Sequence, residues 1–440
     1  METMAGEPQW AAFVAIDWAD QKHYWRLAST EDNQQEQGEM ESTPEAVDAW
    51  ATALHLRFGG RPIAVCIEQS KGALVYMLAK YAHLVLFPVH PKTAAQYRET
   101  FCPSGAKSDP SDTASLLDLL LRHRERLQRL EPDTEQTRLL RMLVEGRRRL
   151  VDEKTRQKNR LTACLKMYYP QIPEWFDEVD SQLVGAFVKQ WPSLPAAKRS
   201  HPGTLKKFFH QHNCRGEERI RERIEAIYAA MPATEDEAIV TAESAMAGAL
   251  VELLAVLRSQ IAEYDRRIAK LAEDHPDRSL FASLPGAGEV LVPRMIAAFG
   301  TRRERFASAY EVQCLSGIAP GTEQSGRNRW VHFRWACPKF LRQTFHEFAA
   351  HSIGSSGWAN AYYRAERDNH KSHHAAVRSL AYKWIRIIFR CWKDNKPYDE
   401  QTYLQALQRT GSPLIDAFRL TTVGEWKEVA GFQKFSANPS

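Results

Sequence analysis

Two short apolar runs, AAFVAIDWA (11–19) and PIAVCIEQ (62–69), each carry one acidic side chain near the end, Asp17 and Glu68. Runs of this length, rich in Val, Ile and Phe, predict strands buried on both faces, and such strands need covering helices. Pro44–Phe58 has helical spacing behind a Ser42/Thr43 cap signal, and Lys71–Ala82 predicts a second helix. HYWRLAS (23–29) predicts a hairpin partner for the first run, with a further strand near Gln35–Met40. LVLFPVHP (84–91) predicts a third buried strand. A loop holding Pro103, Gly105 and Lys107 should follow. After it a helix is expected over Asp109–Arg124, with Ser108 as its cap and Pro110 in its first turn.

A carboxylate at the end of a buried strand is costly unless it meets a cation or a hydrogen-bond donor. Asp109 and Asp112 stand three apart in the first turn of the expected helix, so they share a face. Three strands followed by helix–strand–helix–strand–helix is the order of an RNase H-like α/β domain. In such a sheet the first and fourth strands are neighbours, and the last helix closes over them. All four carboxylates are then expected to meet. Hard divalent cations favour such oxygen donors. Two-metal phosphoryl transfer needs several carboxylates around two ions about 3.5–4 Å apart. Each residue alone has a plainer reading as a loop acid, a surface acid or a helix N-terminal charge. The expectation rests on order and spacing together.

The 440 residues exceed one ordinary core, and the pattern changes twice. Residues 134–166 set Leu139, Met142, Leu143, Leu150, Leu161 and Leu165 among many basic residues, predicting a long helix with one apolar stripe and one basic face. Arg147, Arg148, Arg156 and Arg160 are its candidate nucleic-acid contacts. A second long helix is expected over 238–273. Leu250, Leu253, Leu254, Leu257, Ile261, Tyr264, Ile268 and Leu271 form its coiled-coil seam, and antiparallel pairing with the first helix is expected. Residues 170–235 should form a small helical tip. SLPGAGEVLVPRMIAAFG (283–300) fits a helix–hairpin–helix whose Gly286 and Gly288 would turn backbone N–H groups toward a phosphate. An ordinary helix–turn–helix packing unit fits it too. The expected division is 1–130, 131–274 and 275–440.

Charge points to a polyanion partner. Residues 1–60 carry 11 acidic and 3 basic side chains, whereas the remainder carries 56 basic and 43 acidic ones, a net of +13. The seven cysteines are scattered without a CxxC pair, which argues against a disulfide framework or a zinc ribbon. No run of 18 apolar residues and no signal-peptide pattern is seen, so no membrane association and a cytoplasmic location are expected.

The segments AIDWA, CIEQSKGAL and AKSDPSDTASL, in this order, resemble the DEDD-type transposases of bacterial insertion sequences. That family joins a RuvC-like domain through a coiled coil to a mainly helical C-terminal transposase domain. The resemblance spans nearly the whole chain. Lys107, Asp109 and Asp112 fit its third block, and Thr113 stands where alanine is common. LSGIAPGTEQSGRNRWVHFRW (315–335) resembles the family's second signature and matches Ser325 to its serine nucleophile. Ser316 is the rival serine. Arg327 and Arg329 are basic neighbours suited to a scissile phosphate.

The resemblance implies an RNA-guided, site-specific DNA recombinase with a covalent phosphoserine intermediate. Asp17, Glu68, Asp109 and Asp112 would hold Mg²⁺, two ions per site, with Mn²⁺ as a substitute. It further implies donor and target DNA, a structured non-coding bridge RNA, and a homotetramer built as a dimer of dimers. Two alternatives remain open at this point. One is a RuvC-like junction nuclease that uses water and forms no covalent intermediate. The other is a nucleic-acid-binding scaffold without catalysis.

Overall fold

A computed structural model describes residues 9–31, 34–101, 109–415 and 418. The expected loop at Pro103, Gly105 and Lys107 and the Ser108 cap lie outside the described residues. The chain divides into two compact units, residues 1–132 and 133–440.

The first unit is a five-stranded mixed sheet in the order β3-β2-β1-β4-β5. Its strands are β1 (Ala12–Asp17), β2 (Lys22–Ser29), β3 (Gln35–Glu41), β4 (Ile63–Ile67) and β5 (Leu84–Pro88). β2 runs antiparallel to β1 and β3, while β1, β4 and β5 are parallel. Among the described residues four α-helices accompany them: α1 (Pro44–Arg57) and α2 (Ala73–Leu78) between strands, then α3 (Pro91–Phe101) and α4 (Asp109–His123) after β5. The α1 cap is as expected, the Thr43 hydroxyl accepting from the Ala46 N–H at 3.2 Å. α2 is shorter than expected, because Gly72 stands before it at φ 139°, outside helical space. α3 was not foreseen. It buries only Ala94, so it shows almost no apolar stripe, and its Pro91 start reads equally well as the end of a strand.

The period of two along the strands splits the core. Ala12, Val14, Ile16, Ile63, Val65 and Ile67 pack on α1 and α2. Phe13, Ala15, Ala64, Cys66, Phe87 and Val89 pack on Leu116, Leu117, Leu119 and Leu120 of α4. This is the mixed α/β arrangement of an RNase H-like domain, with β1 and β4 as neighbours.

The second unit starts with α5 (Glu135–Tyr168), capped by the Thr134 hydroxyl. The helices α6 (Ile172–Trp175), α7 (Gln182–Gln190), α8 (Leu194–Lys198), α9 (Pro202–Gln211) and α10 (Glu217–Ala229) form the tip. α11 (Glu237–Glu273) then returns alongside α5. The pair is antiparallel: Gln136 donates to the Leu271 carbonyl at 3.1 Å, Arg147 grips Asp265, and Cys164 meets the Glu243 carbonyl at 3.2 Å. By length and apolar content alone α11 would suit a membrane, yet Leu250, Val251 and Leu254 are buried in the tip core with α5 and α7. Leu253, expected in the seam, is about half exposed, as are Leu139 and Met142 of α5. A step of three from Leu250 turns Leu253 away, whereas Leu254, a step of four, stays inside.

The remaining elements are α12 (Arg278–Ala282), α13 (Leu291–Phe299), α14 (Ala309–Leu315), the two-stranded ribbon β6 (Gly321–Ser325) and β7 (Asn328–His332), α15 (Lys339–Ser352), α16 (Gly357–Asp368), α17 (His373–Asp394) and α18 (Glu400–Arg409). Trp358, Trp384, Trp392, Phe299 and Phe345 fill this core, which also takes in Leu140, Val144 and Ile268 from the near end of the helix pair. One polar joint fixes the start of α5. The Asp133 carboxylate accepts from the Thr301 N–H at 3.1 Å. Gly300, at φ 75°, lies so close that a Cβ there would fall 2.1 Å from an Asp133 oxygen, so only glycine fits.

Burial, with the charges of His374 and Arg378 nearby, pushes His346 on α15 down to about 4 from its ordinary 6.5. Between these values the unfolded chain binds a proton that the folded chain refuses. Stability from this histidine is therefore full above about pH 6.5 and is lost as pH falls toward 4, by up to about 3 kcal/mol. Urea denaturation followed from pH 7 to pH 4.5 should show this loss, and His346→Gln should flatten the profile. An unchanged profile in that variant would remove His346 as its source.

Candidate active site

Side chains on one face of a strand recur every second residue, so Phe13 and Ala15 predict the side of Asp17, and Ala64 and Cys66 that of Glu68. Both carboxylates fall on the α4 side, at the C-terminal ends of parallel neighbours whose register pairs Ile16 with Ile67. Burial pushes the Cys66 thiol up to about 12, and the charge of Glu68 adds to it.

α4 brings Asp112 to the same face, one turn before Leu116. Asp112 is 3% exposed, and its carboxylate accepts from Arg98 of α3 at 2.6 Å. Arg98 is held further in its charged form by that pair and by Glu68. Asp109 is exposed at the first position of α4. Thr113 is fully buried and donates to the Asp109 carbonyl at 2.9 Å, so its hydroxyl is satisfied by the helix backbone.

Two strand ends and one helix start thus converge on one sheet edge, but the four carboxylates do not close a shell. Among the described residues no group of three or more His, Cys, Asp or Glu is placed to hold a metal ion. The donor chemistry suits a hard divalent cation, and in this structure a guanidinium engages Asp112. Arg98 is the residue that sequence reasoning missed. Its only signal was a basic residue in a segment read as the approach to a loop.

Arg98→Ala would strand a buried carboxylate without this cation. A loss on the order of 3 kcal/mol is expected in urea denaturation. Adding Asp112→Asn should recover at least about 1 kcal/mol of it, and strict additivity of the two changes would dismiss the pair as an energetic unit.

Ser325 is the last residue of β6 and pairs with Asn328 across the two-residue turn Gly326-Arg327. Gly326 has φ 58°, as the first turn position of a tight hairpin requires. The whole ribbon is exposed from Glu323 to Val331. A two-stranded ribbon has little stability of its own, and this one is anchored at its base. The Phe333 ring lies between the guanidinium groups of Arg342 and Arg378, at 4.6 and 4.3 Å from its centroid. Arg342 also donates to the carbonyls of Arg334 and Trp335 at 2.8 and 2.9 Å. Ser316, in contrast, is fully buried and donates to the Gln313 carbonyl at 3.2 Å. Of these two serines, Ser325 is the one exposed to solvent.

The other expected contacts divide. Arg327 sits in the turn beside Ser325, whereas the pairing of Arg329 with Gln324 puts it on the opposite face of the ribbon. Arg147 is paired with Asp265. Arg148 shares Glu347 with the buried Arg294, 3.4 Å away, and also meets Asp152. Arg156 is exposed and held by Glu153, and Arg160 donates to Gln157 at 3.3 Å. Gly286 is backed by the main chain of His351, while Gly288 faces open space.

Comparison with known proteins agrees with both halves. Residues 14–170 match a DEDD-type family model described as a transposase, and residues 278–364 match the model of the IS116/IS110/IS902 transposase family. A mini-circle putative transposase for IS117 from Streptomyces coelicolor is 28% identical, covering 93% of this chain and 99% of its own. The IS110 43.6 kDa protein of the same organism is 24% identical over 79% and 85% of the two chains. The IS900 42 kDa protein of Mycobacterium paratuberculosis is 23% identical over 80% and 84%. The fold and these matches define a transposase, an enzyme that cuts DNA and transfers it. The chain belongs to the IS110/IS116/IS902 family of insertion-element transposases.

Proposed function

We propose that this transposase is an RNA-guided, site-specific recombinase that exchanges DNA strands through a phosphoserine link at Ser325. The observation that carries the reading is the presentation of Ser325 at the turn of an exposed, base-anchored ribbon, within the segment that matches the second family model. The Ser325 oxygen attacks a DNA phosphorus. The Oγ–P bond forms, the bond to the departing DNA oxygen breaks, and the serine proton leaves while that oxygen gains one. In the second step a freed DNA hydroxyl attacks another such phosphoserine. A new phosphodiester forms, and the serine hydroxyl is restored. One ester replaces another throughout, so no energy source is needed.

Asp17, Glu68, Asp109 and Asp112 are the residues that would hold Mg²⁺ or Mn²⁺, since all four offer carboxylate oxygens. Bound there, the ions would supply charge stabilisation for the phosphoryl group and lower the cost of deprotonating a hydroxyl. Arg327 would contact the scissile phosphate. The division at 131–274 and 275–440 is proposed with the helix pair as a coiled coil and α12–α13 as a helix–hairpin–helix. Ile239, Met246, Leu253 and Val256 leave apolar surface exposed along α11, which supports assembly into a homotetramer.

Guidance by RNA separates this reading from a junction nuclease. Sequencing the nucleic acid that copurifies with the protein should return one discrete RNA encoded beside the gene. A random sample of cellular RNA would overturn the guided part of the reading.

A further inference from the structure

The register of the ribbon fixes which side chains accompany Ser325. Pairing of Ser325 with Asn328 and of Glu323 with Trp330 puts Ser325, Asn328, Trp330 and Glu323 on one face. Trp330 is the diagonal neighbour of Ser325, a separation of roughly 7–8 Å between such positions in antiparallel pairs. Its indole is 47% exposed although it stands in the middle of a strand. An indole half in water, on a ribbon held at its base by Phe333, has kept its apolar face for something that arrives later.

The identity of that occupant follows from the surroundings. The segment from Gly321 to Trp335 holds Arg327, Arg329 and Arg334 against the single acid Glu323, so the ribbon attracts a polyanion. Glu323 is engaged by His332 at 3.5 Å. A polyanion that also offers a flat π-face is a nucleic acid whose bases are unstacked. The diagonal spacing is one that a sugar and its base can span from the phosphate they carry.

We propose that Trp330 is a positioning residue on which a DNA base beside the scissile phosphate stacks, so that the phosphorus is held in front of Ser325. The inference rests on the reading of Ser325 as nucleophile, but stacking can be measured without cleavage. Trp330 touches no reacting atom. It acts by restricting where the phosphate lies.

The test uses the full-length protein and a dye-labelled 12-nucleotide single-stranded DNA carrying 5-iodouracil, which crosslinks on irradiation to an aromatic ring stacked on it. Tryptic digestion should return the peptide from Trp330 to Arg334 with the crosslink at Trp330. In anisotropy titrations Trp330→Ala should weaken binding roughly 5- to 100-fold, and Trp330→Phe should restore most of it. The dependence of affinity on salt should stay the same in both, since no phosphate contact is lost, whereas Arg327→Ala should lower that slope by about one. A crosslink elsewhere with none at Trp330, or an unchanged affinity in Trp330→Ala, overturns the proposal. So does a change in oligomeric mass with DNA binding intact, which would give the indole to a second copy of the chain. A covalent serine adduct without a Trp330 crosslink sinks stacking alone. A Trp330 crosslink with no adduct keeps the stacking and sinks the serine reading.

Discussion

Replacing Ser325 by alanine is expected to abolish the covalent protein–DNA species seen on a denaturing gel, and strand transfer with it, by about 10⁴-fold or more. The change removes one oxygen and nothing else. Ser325 is exposed at a turn whose glycine is retained, so the fold should be unaffected within about 0.5 kcal/mol. The loss would then belong to chemistry. Ser316→Ala is the matched control, because Ser316 caps α14 and is sealed in the core. Adducts that persist in Ser325→Ala would end the nucleophile assignment. Cleavage that persists without any adduct would favour a nuclease that uses water.

Asp17→Asn and Glu68→Gln should each lower DNA cleavage by about 10³-fold while leaving binding of nucleic acid largely intact. These two are better probes than Asp112→Asn. They sit at strand ends with shape kept by the amide, whereas Asp112 is the buried partner of Arg98. A change at Asp112 therefore mixes a stability loss with a catalytic one. Cleavage should also disappear with chelation and return with Mg²⁺ or Mn²⁺. Full cleavage in the presence of a chelator would show that the carboxylates serve some other purpose.

The sheet was legible because its signal is redundant. Apolar runs, Pro44 and the Thr43 cap all agree on where strands and α1 lie, and Asp17 and Glu68 are fixed to their face by the period of two. The helix pair was legible for the same reason. α3 was not, because a helix that buries only Ala94 has no periodicity to read. Arg98 was lost with it. The sidedness of the ribbon was equally hidden. Arg327 and Arg329 look equivalent in the sequence, and only the pairing of Ser325 with Asn328 sends them to different faces. Basic residues on α5 mislead in the opposite direction, since composition cannot tell a solvated arginine from one such as Arg148, which serves Glu347.

The bareness of Ser325 bears on when the proposed nucleophile can act. Among the described residues no side-chain base takes a hydrogen bond from its hydroxyl, and an ordinary serine hydroxyl is a poor nucleophile. On the proposed reading, Ser325 therefore needs a proton acceptor brought to it before it can attack DNA. Activation, on that reading, comes from completing the site rather than from removing a cover.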